Sequence, residues 1–257
     1  MSTLPDFHIV IPARYASQRF PQKMLAPLSG KPVVQWVYEL ALKAGAKSVT
    51  VATDHKDIEA AAKAFGADVV MTRTDHENGT ERLAEVSQLK GWSGDEIVVN
   101  VQGDEPLLPI SLIHDAVKAL ADDPESEMAT VACPIHRAED IFNPSVVKVV
   151  CDAKGRALYF SRATMPWDRD GFASEEKVIS SEYPALRHVG LYVYRVALLD
   201  RYAHMPMSPL EKWEKLEQLR FLHQGIKVQV ALTSELPPHG VDTPEDLQAL
   251  TEKLRSF

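Results

Sequence analysis

No run in this 257-residue chain approaches the roughly 18 apolar residues of a membrane-spanning helix, so no membrane insertion is expected. The opening Met1-Ser2-Thr3-Leu4-Pro5-Asp6 lacks the basic and apolar regions of a secretory signal, and a cytoplasmic protein is expected. There are only two cysteines, Cys133 and Cys151, each among apolar neighbours and without metal-ligand spacing. That excludes a disulfide or zinc framework and predicts reduced, buried thiols. Basic residues are in deficit, 28 Lys plus Arg against 36 Asp plus Glu for a net charge of -8, which argues against a nucleic-acid partner. Two phosphate motifs are also missing. No G-x-G-x-x-G follows a strand, and Ser29-Gly30-Lys31-Pro32 has neither the upstream glycine nor the following Ser or Thr of a P-loop, so dinucleotide oxidoreductases and P-loop kinases lose ground. No internal repeat, low-complexity tract or flexible linker is present.

What the chain does have is core material, 45% hydrophobic against 25% charged residues. β-branched runs at Phe7-His8-Ile9-Val10-Ile11, Ser48-Val49-Thr50-Val51-Ala52 and Glu96-Ile97-Val98-Val99-Asn100-Val101 alternate with helical patterns over 33–43 and 56–65, each closed by a glycine, Gly45 or Gly66. The alternation predicts an α/β fold, a mostly parallel Rossmann-like sheet with helices on both faces and ligands beyond the carboxyl ends of its strands. The second half differs. A hairpin is expected around Asp152-Ala153-Lys154-Gly155, a polar surface loop over 169–181, a strand over 186–194, a helix over 209–224, a strand over 227–232 and a terminal helix over 243–255. We read residues 1–257 as a single domain with a smaller α+β lobe inserted at about 135–225.

Residues 7–38 contain Arg14, Arg19, Lys23 and Lys31 but no Asp or Glu. In an acidic chain, a cationic loop at the end of the first strand suits a polyphosphate, because arginine forks match phosphate oxygens; a solvated basic loop is the alternative. Asp104, behind Gly103, and Asp242, in Gly240-Val241-Asp242-Thr243-Pro244, place two carboxylates on turns that suit Mg2+, although Asp242 could instead start the helix that follows. Strand alternation puts Val189, Leu191 and Val193 on one face and His188, Gly190 and Tyr192 on the other, where the glycine leaves a shallow slot. Glu214, Glu217 and Gln218 are spaced to share a helix face, which a solvated charged surface explains equally well.

Together these segments resemble the 3-deoxy-D-manno-octulosonate (Kdo) cytidylyltransferase family, over essentially the whole chain. The likeness rests on Ile11-Pro12-Ala13-Arg14 with Ser17, Arg19, Pro21 and Lys23, on Asn78-Gly79-Thr80-Glu81-Arg82, and on Asn100-Val101-Gln102-Gly103-Asp104-Glu105-Pro106. It continues through Tyr159-Phe160-Ser161-Arg162-Ala163, Arg187-His188-Val189-Gly190, Leu216-Glu217-Gln218-Leu219-Arg220 and Gly240-Val241-Asp242-Thr243-Pro244-Glu245-Asp246-Leu247. Phe20, Gln22 and Met24 depart from the leucine, glycine and proline frequent in the opening motif and affect loop packing more than charge.

The resemblance implies a Mg2+-dependent homodimer that joins CTP to Kdo, giving CMP-Kdo and pyrophosphate for lipopolysaccharide synthesis. It implies catalytic roles for Arg14, Lys23 and Asp104, and a nucleotide site of Arg14, Ser17, Arg19, Lys23, Thr80, Arg82, Gln102 and Asp104. It further implies a sugar pocket of Gln102, Arg162, His188, Tyr192, Glu217 and Gln218, with Asp104 and Asp242 on the metal. The competing readings are a cytidylyltransferase for 8-amino-Kdo or sialic acid, and, from another class, a non-catalytic CTP-binding regulator.

Overall fold

The computed structural model describes residues 4–16, 19–173, 179–180, 182–234 and 237–255. The first half runs β1 (Phe7–Ala13), a short hairpin of β2 (Pro27–Leu28) and β3 (Lys31–Pro32), α1 (Val33–Leu42), β4 (Ser48–Thr53), α2 (Lys56–Ala64), β5 (Asp68–Met71), α3 (Gly79–Lys90), β6 (Ile97–Asn100) and α4 (Ile110–Asp122). It is followed by β7 (Met128–Pro134), α5 (Ala138–Phe142), β8 (Lys148–Cys151), β9 (Ala157–Ser161), β10 (Leu186–Arg195), α6 (Val196–Tyr202), α7 (Pro209–Glu214), α8 (Gln218–His223), β11 (Val228–Leu232) and α9 (Pro244–Arg255).

Nine strands make one sheet of order β11-β7-β10-β6-β1-β4-β5, from which β8 and β9 extend at β10. β1 pairs in parallel with β4 and β6, and β10 is the antiparallel strand between β6 and β7. Every residue of β1 is buried, as expected of a central strand covered on both faces. Its alternation divides the core. Ile9 and Ile11 pack with Val34, Val37 and Ala41 of α1 and Leu112 and Ala116 of α4, while Val10 faces Leu83 and Ala84 of α3 and Leu198 of α6. The expected mostly parallel α/β sheet is what forms.

Several second-half expectations need correction. The helix expected over 209–224 is broken: Lys215 adopts a left-handed conformation (φ 55°), which turns Leu216 into the core between α7 and α8. The two short helices are held together by Arg220, whose guanidinium donates to both Glu211 carboxylate oxygens at 2.8 and 2.7 Å. The 169–181 segment is not uniformly polar surface, because Phe172 is buried with Ile135, Ile141, Val146 and Ala185 in a satellite core; residues 174–178 and 181 lie outside the described residues. Within the 135–225 span, β8 and β9 form the expected hairpin and join the sheet at β10, one of its interior strands. Both cysteines are free thiols; Cys133 is buried and Cys151 half-buried, and burial raises both pKa values, Cys151 to about 11.

Candidate active site

The carboxyl ends of β1 and β6 meet three loops, and two glycines set how closely those loops pack. A Cβ on Gly103 would lie 2.8 Å from the Pro12 carbonyl oxygen and 3.0 Å from Met24 Sδ. One on Gly240 would lie 2.8 Å from the Asp104 carbonyl oxygen. Neither position tolerates a side chain without backbone movement. Val241 N–H donates to that same Asp104 oxygen at 2.8 Å, so the 240–242 loop is fastened to the turn after β6.

Lys23, buried at the first turn after the cationic loop, stands between the two carboxylates. Its Nζ donates to Asp104 Oδ2 at 2.5 Å and to Asp242 Oδ1 at 3.1 Å. Burial disfavours the ammonium, but Asp104 and then Asp242 outweigh it and hold the Lys23 pKa above its ordinary value. Arg19, largely exposed, pairs with Asp242 at 2.9 Å. Asp242 does not cap α9: Thr243 Oγ1 accepts from Asp246 N, and Asp246 accepts from the Asp242 and Thr243 amides. The Asp242 carboxylate is thereby left to the site.

Lys23 and Arg19 together offset the charges of Asp104 and Asp242. The neighbouring Glu105 carboxyl is pushed up to about 8 by burial and by the charges of Asp104 and Asp242. Two carboxylates within about 3 Å of one ammonium form a donor set that fits a hard divalent cation completed by phosphate and water oxygens. Among the described residues no group of three or more His, Cys, Asp or Glu side chains is arranged to hold a metal by itself.

Two clefts meet at Asp104. One, of about 210 Å³, is lined by Arg14, Lys23, Gly79, Gln102 and Asp104; the other, of about 220 Å³, by Asp104, Glu105, Arg187, His188, Gly190 and Asp242. A groove of about 840 Å³ along α3 is larger, but Asp75, Glu77, Glu81 and Glu85 in its wall oppose a phosphate ligand. Arg14 sits beneath the first cleft. Burial, then Arg82, lowers its pKa against the pull of Asp54, Glu81 and Glu217.

On the α3 side of the sheet lies a buried polar cluster. Tyr192 Oη donates to Gln218 Oε1 at 3.1 Å, Tyr194 and Thr80 hydroxyls are 3.0 Å apart, and His188 Nε2 is 2.9 Å from Thr130 Oγ1. His188 and Tyr192 have ring centroids 5.5 Å apart, whereas Val189, Leu191 and Val193 pack into the opposite core. Burial pushes the His188 pKa down to about 3, so the ring is neutral near pH 7. Glu217 is half-buried as a residue, but its carboxyl is enclosed, and burial raises its pKa to about 7.

The structure thus gathers Arg14, Arg19, Lys23, Gln102, Asp104, Asp242 and His188 around the clefts, with Tyr192, Glu217 and Gln218 in the adjoining polar cluster. Other candidates point elsewhere. Arg82 is fully buried, and its guanidinium is taken up by Asp54 at 2.9 Å and the Thr72 hydroxyl. Thr80 is equally buried. Arg162 spends its guanidinium on the carbonyls of Glu214 and Pro144, tying the β8–β9 hairpin to α7. Glu214 leaves the face expected for it and binds Ser161 Oγ and Arg162 N instead. Ser17 lies outside the described residues. Lys31, part of the basic window, is paired with Glu39. Sequence reading passed over Glu105 and Arg187 as site residues, although each adjoins a residue that it singled out.

The cytidylyltransferase family model matches residues 8–228. A 3-deoxy-manno-octulosonate cytidylyltransferase of Marinomonas sp. (strain MWYL1) is 72% identical over 255 residues, covering 98% of this chain and 97% of that protein. One from Aliivibrio fischeri (strain MJ11) is 55% identical over 252 residues, covering 98% of each. Among solved structures, a CMP:2-keto-3-deoxy-manno-octonic acid synthetase complexed with CTP superimposes with a TM-score of 0.87 at 40% identity, covering 98% of this chain and 99% of that one. A cytidylyltransferase from Leptospira borgpetersenii, 16% identical with a TM-score of 0.62 over 98% of this chain and 87% of its own, shares the fold. No helix among the described residues is long and apolar enough to cross a membrane.

Proposed function

The chain belongs to the 3-deoxy-manno-octulosonate cytidylyltransferase family, and from that premise we propose that it transfers CMP from CTP to the anomeric C2 hydroxyl of Kdo, releasing pyrophosphate. The observation that carries this reading is the position of Asp104, shared by a cationic cleft suited to a triphosphate and a second cleft containing Arg187 and His188, suited to a sugar acid. The reacting atoms would meet at that boundary.

In this mechanism the C2 oxygen attacks the α-phosphorus in line. The new O–P bond forms as the bond from the α-phosphorus to the bridging oxygen breaks, the electron pair leaves with pyrophosphate, and the hydroxyl proton passes to water. Lys23 and Arg14 hold and neutralise phosphate oxygens as charge moves toward the leaving group. Arg19 reaches the same site from the exposed loop, and Gln102 bridges the two substrates. His188 and Tyr192 orient the sugar as neutral hydrogen-bonding groups. Asp104 and Asp242 would hold Mg2+, displacing the Lys23 ammonium from between them. Magnesium bound there would lower the pKa of the C2 hydroxyl and offset repulsion between two anionic substrates. The same reading makes the protein a cytoplasmic homodimer supplying CMP-Kdo for lipopolysaccharide synthesis.

The test is pyrophosphate release from CTP and Mg2+ across a panel of sugar acids. Release is expected with Kdo and not with CTP alone. Equal or faster turnover with sialic acid or 8-amino-Kdo would reassign the substrate, and CTP binding without single-turnover product would indicate a regulator.

A further inference from the structure

β6 reads Ile97-Val98-Val99-Asn100, and its last residue breaks the apolar run. Asn100 is fully buried, and neither its side-chain nitrogen nor its oxygen has a partner among the described residues. Most buried amides are satisfied on both atoms, and an unmet donor and acceptor in the same side chain weaken a fold that Val or Leu would serve at no such cost.

Its surroundings say where the amide points. Asn100 pairs with Tyr192 across β6 and β10, so the two side chains stand together on the α3 face. Tyr192 bonds to Gln218, whose Nε2 is also buried without a partner, as is Arg14 Nη2. A Cβ on Gly79 would lie 3.3 Å from Asn100 Nδ2, and Gly79 lines the cleft shared with Arg14 and Gln102. Unpaired polar atoms of Asn100 and Gln218 therefore collect beside Tyr192 on the α3 face, behind that cleft.

We propose that Asn100 is a binding and specificity residue for the acceptor sugar, its amide accepting from and donating to a sugar hydroxyl beside Tyr192 and Gln218. The assignment rests on the function proposed above and extends it to a residue outside the expected pocket. A hydroxyl both donates and accepts, which matches the two unmet atoms of Asn100, whereas a phosphate oxygen only accepts and would leave Oδ1 unpaired. The end of a central strand also holds the amide rigidly, with the orienting precision that a loop residue lacks.

Asn100→Leu keeps the branched side-chain skeleton and removes both polar atoms, and Asn100→Asp keeps an acceptor while losing the donor. Steady-state kinetics with CTP and Kdo should show the KM for Kdo raised roughly 10- to 100-fold in both variants, with the KM for CTP within about twofold of wild type. The melting temperature of the unliganded Leu variant should equal or exceed that of wild type, because two unsatisfied groups have been removed from the interior. The idea is overturned by an unchanged KM for Kdo, by a parallel rise in the KM for CTP, or by a Leu variant that melts earlier or fails to fold, which would make Asn100 a structural residue. Wild-type turnover, measured first, tests the functional reading separately; if another sugar acid is preferred, the same KM split is measured with that acid.

Discussion

The loops that carry Asp104 and Asp242 are fastened by the bond from Val241 N–H to the Asp104 carbonyl, which substitution of either side chain leaves in place. Asp104→Asn and Asp242→Asn should each lower turnover by orders of magnitude with the fold retained, the α9 cap belonging to Thr243 and Asp246. Near wild-type turnover of Asp242→Asn at limiting Mg2+ would remove it from the metal site. Glu217 allows a prediction about pH. Its folded-state pKa, about 7, lies above the ordinary glutamate value of 4.5 because burial penalises the carboxylate. The stability it contributes is full below about pH 4.5 and is lost as pH rises through about 7. Glu217→Gln, which mimics the neutral acid, should therefore melt higher than wild type at pH 8, by up to about 3 kcal/mol, with the difference vanishing near pH 4. Thermal melts of both proteins across that range check the sign.

At the scale of elements, β10 carries the acceptor-side argument. Its ten residues bring His188 and Tyr192 to the α3 face and Val189, Leu191 and Val193 to the other, and a bulge interrupts its pairing with β7 between Val189 and Tyr192. A Cβ at Gly190 would meet nothing within 4 Å, so Gly190→Val should fold normally while blocking Kdo and still binding CTP, as read by calorimetric titration of each ligand. His188→Ala and Tyr192→Phe should raise the KM for Kdo roughly 5- to 150-fold, as expected for losing a contact worth about 1 to 3 kcal/mol, and should affect CTP far less. A matched loss of CTP affinity, or a large fall in melting temperature, would return both rings to a supporting role. The break at Lys215 matters on the same scale: a continuous helix would leave Leu216 and the Glu217–Gln218 pair at other angles, away from Tyr192.

For the molecule as a whole, the site is a convergence of segments far apart in sequence, with Lys23, Asp104 and Asp242 on three loops whose close approaches pass through Gly103 and Gly240. Because both substrates and the chain carry net negative charge, turnover should stop on chelation by EDTA and return with Mg2+, while the melting temperature of the unliganded protein stays the same. Light scattering should give twice the mass of one chain; a monomer at working concentration would remove the homodimer from the reading.

The sequence by itself determined the α/β class, β1 and β4, the closing glycines after α1 and α2, and the polar and apolar faces of β10, because periodicity and glycine placement are local properties of the chain. It also made Asp104 a candidate through the turn that Gly103 permits. It left α3, α4 and β7 unassigned, merged α7 and α8 across Lys215, and could not tell whether the Asp242 side chain caps the helix that follows. Tertiary structure decided those points. Whether Arg82 faces a ligand or Asp54, and whether Asn100 finds a partner, depends on which distant segments arrive beside it, and such long-range packing carries no periodic signal in one sequence.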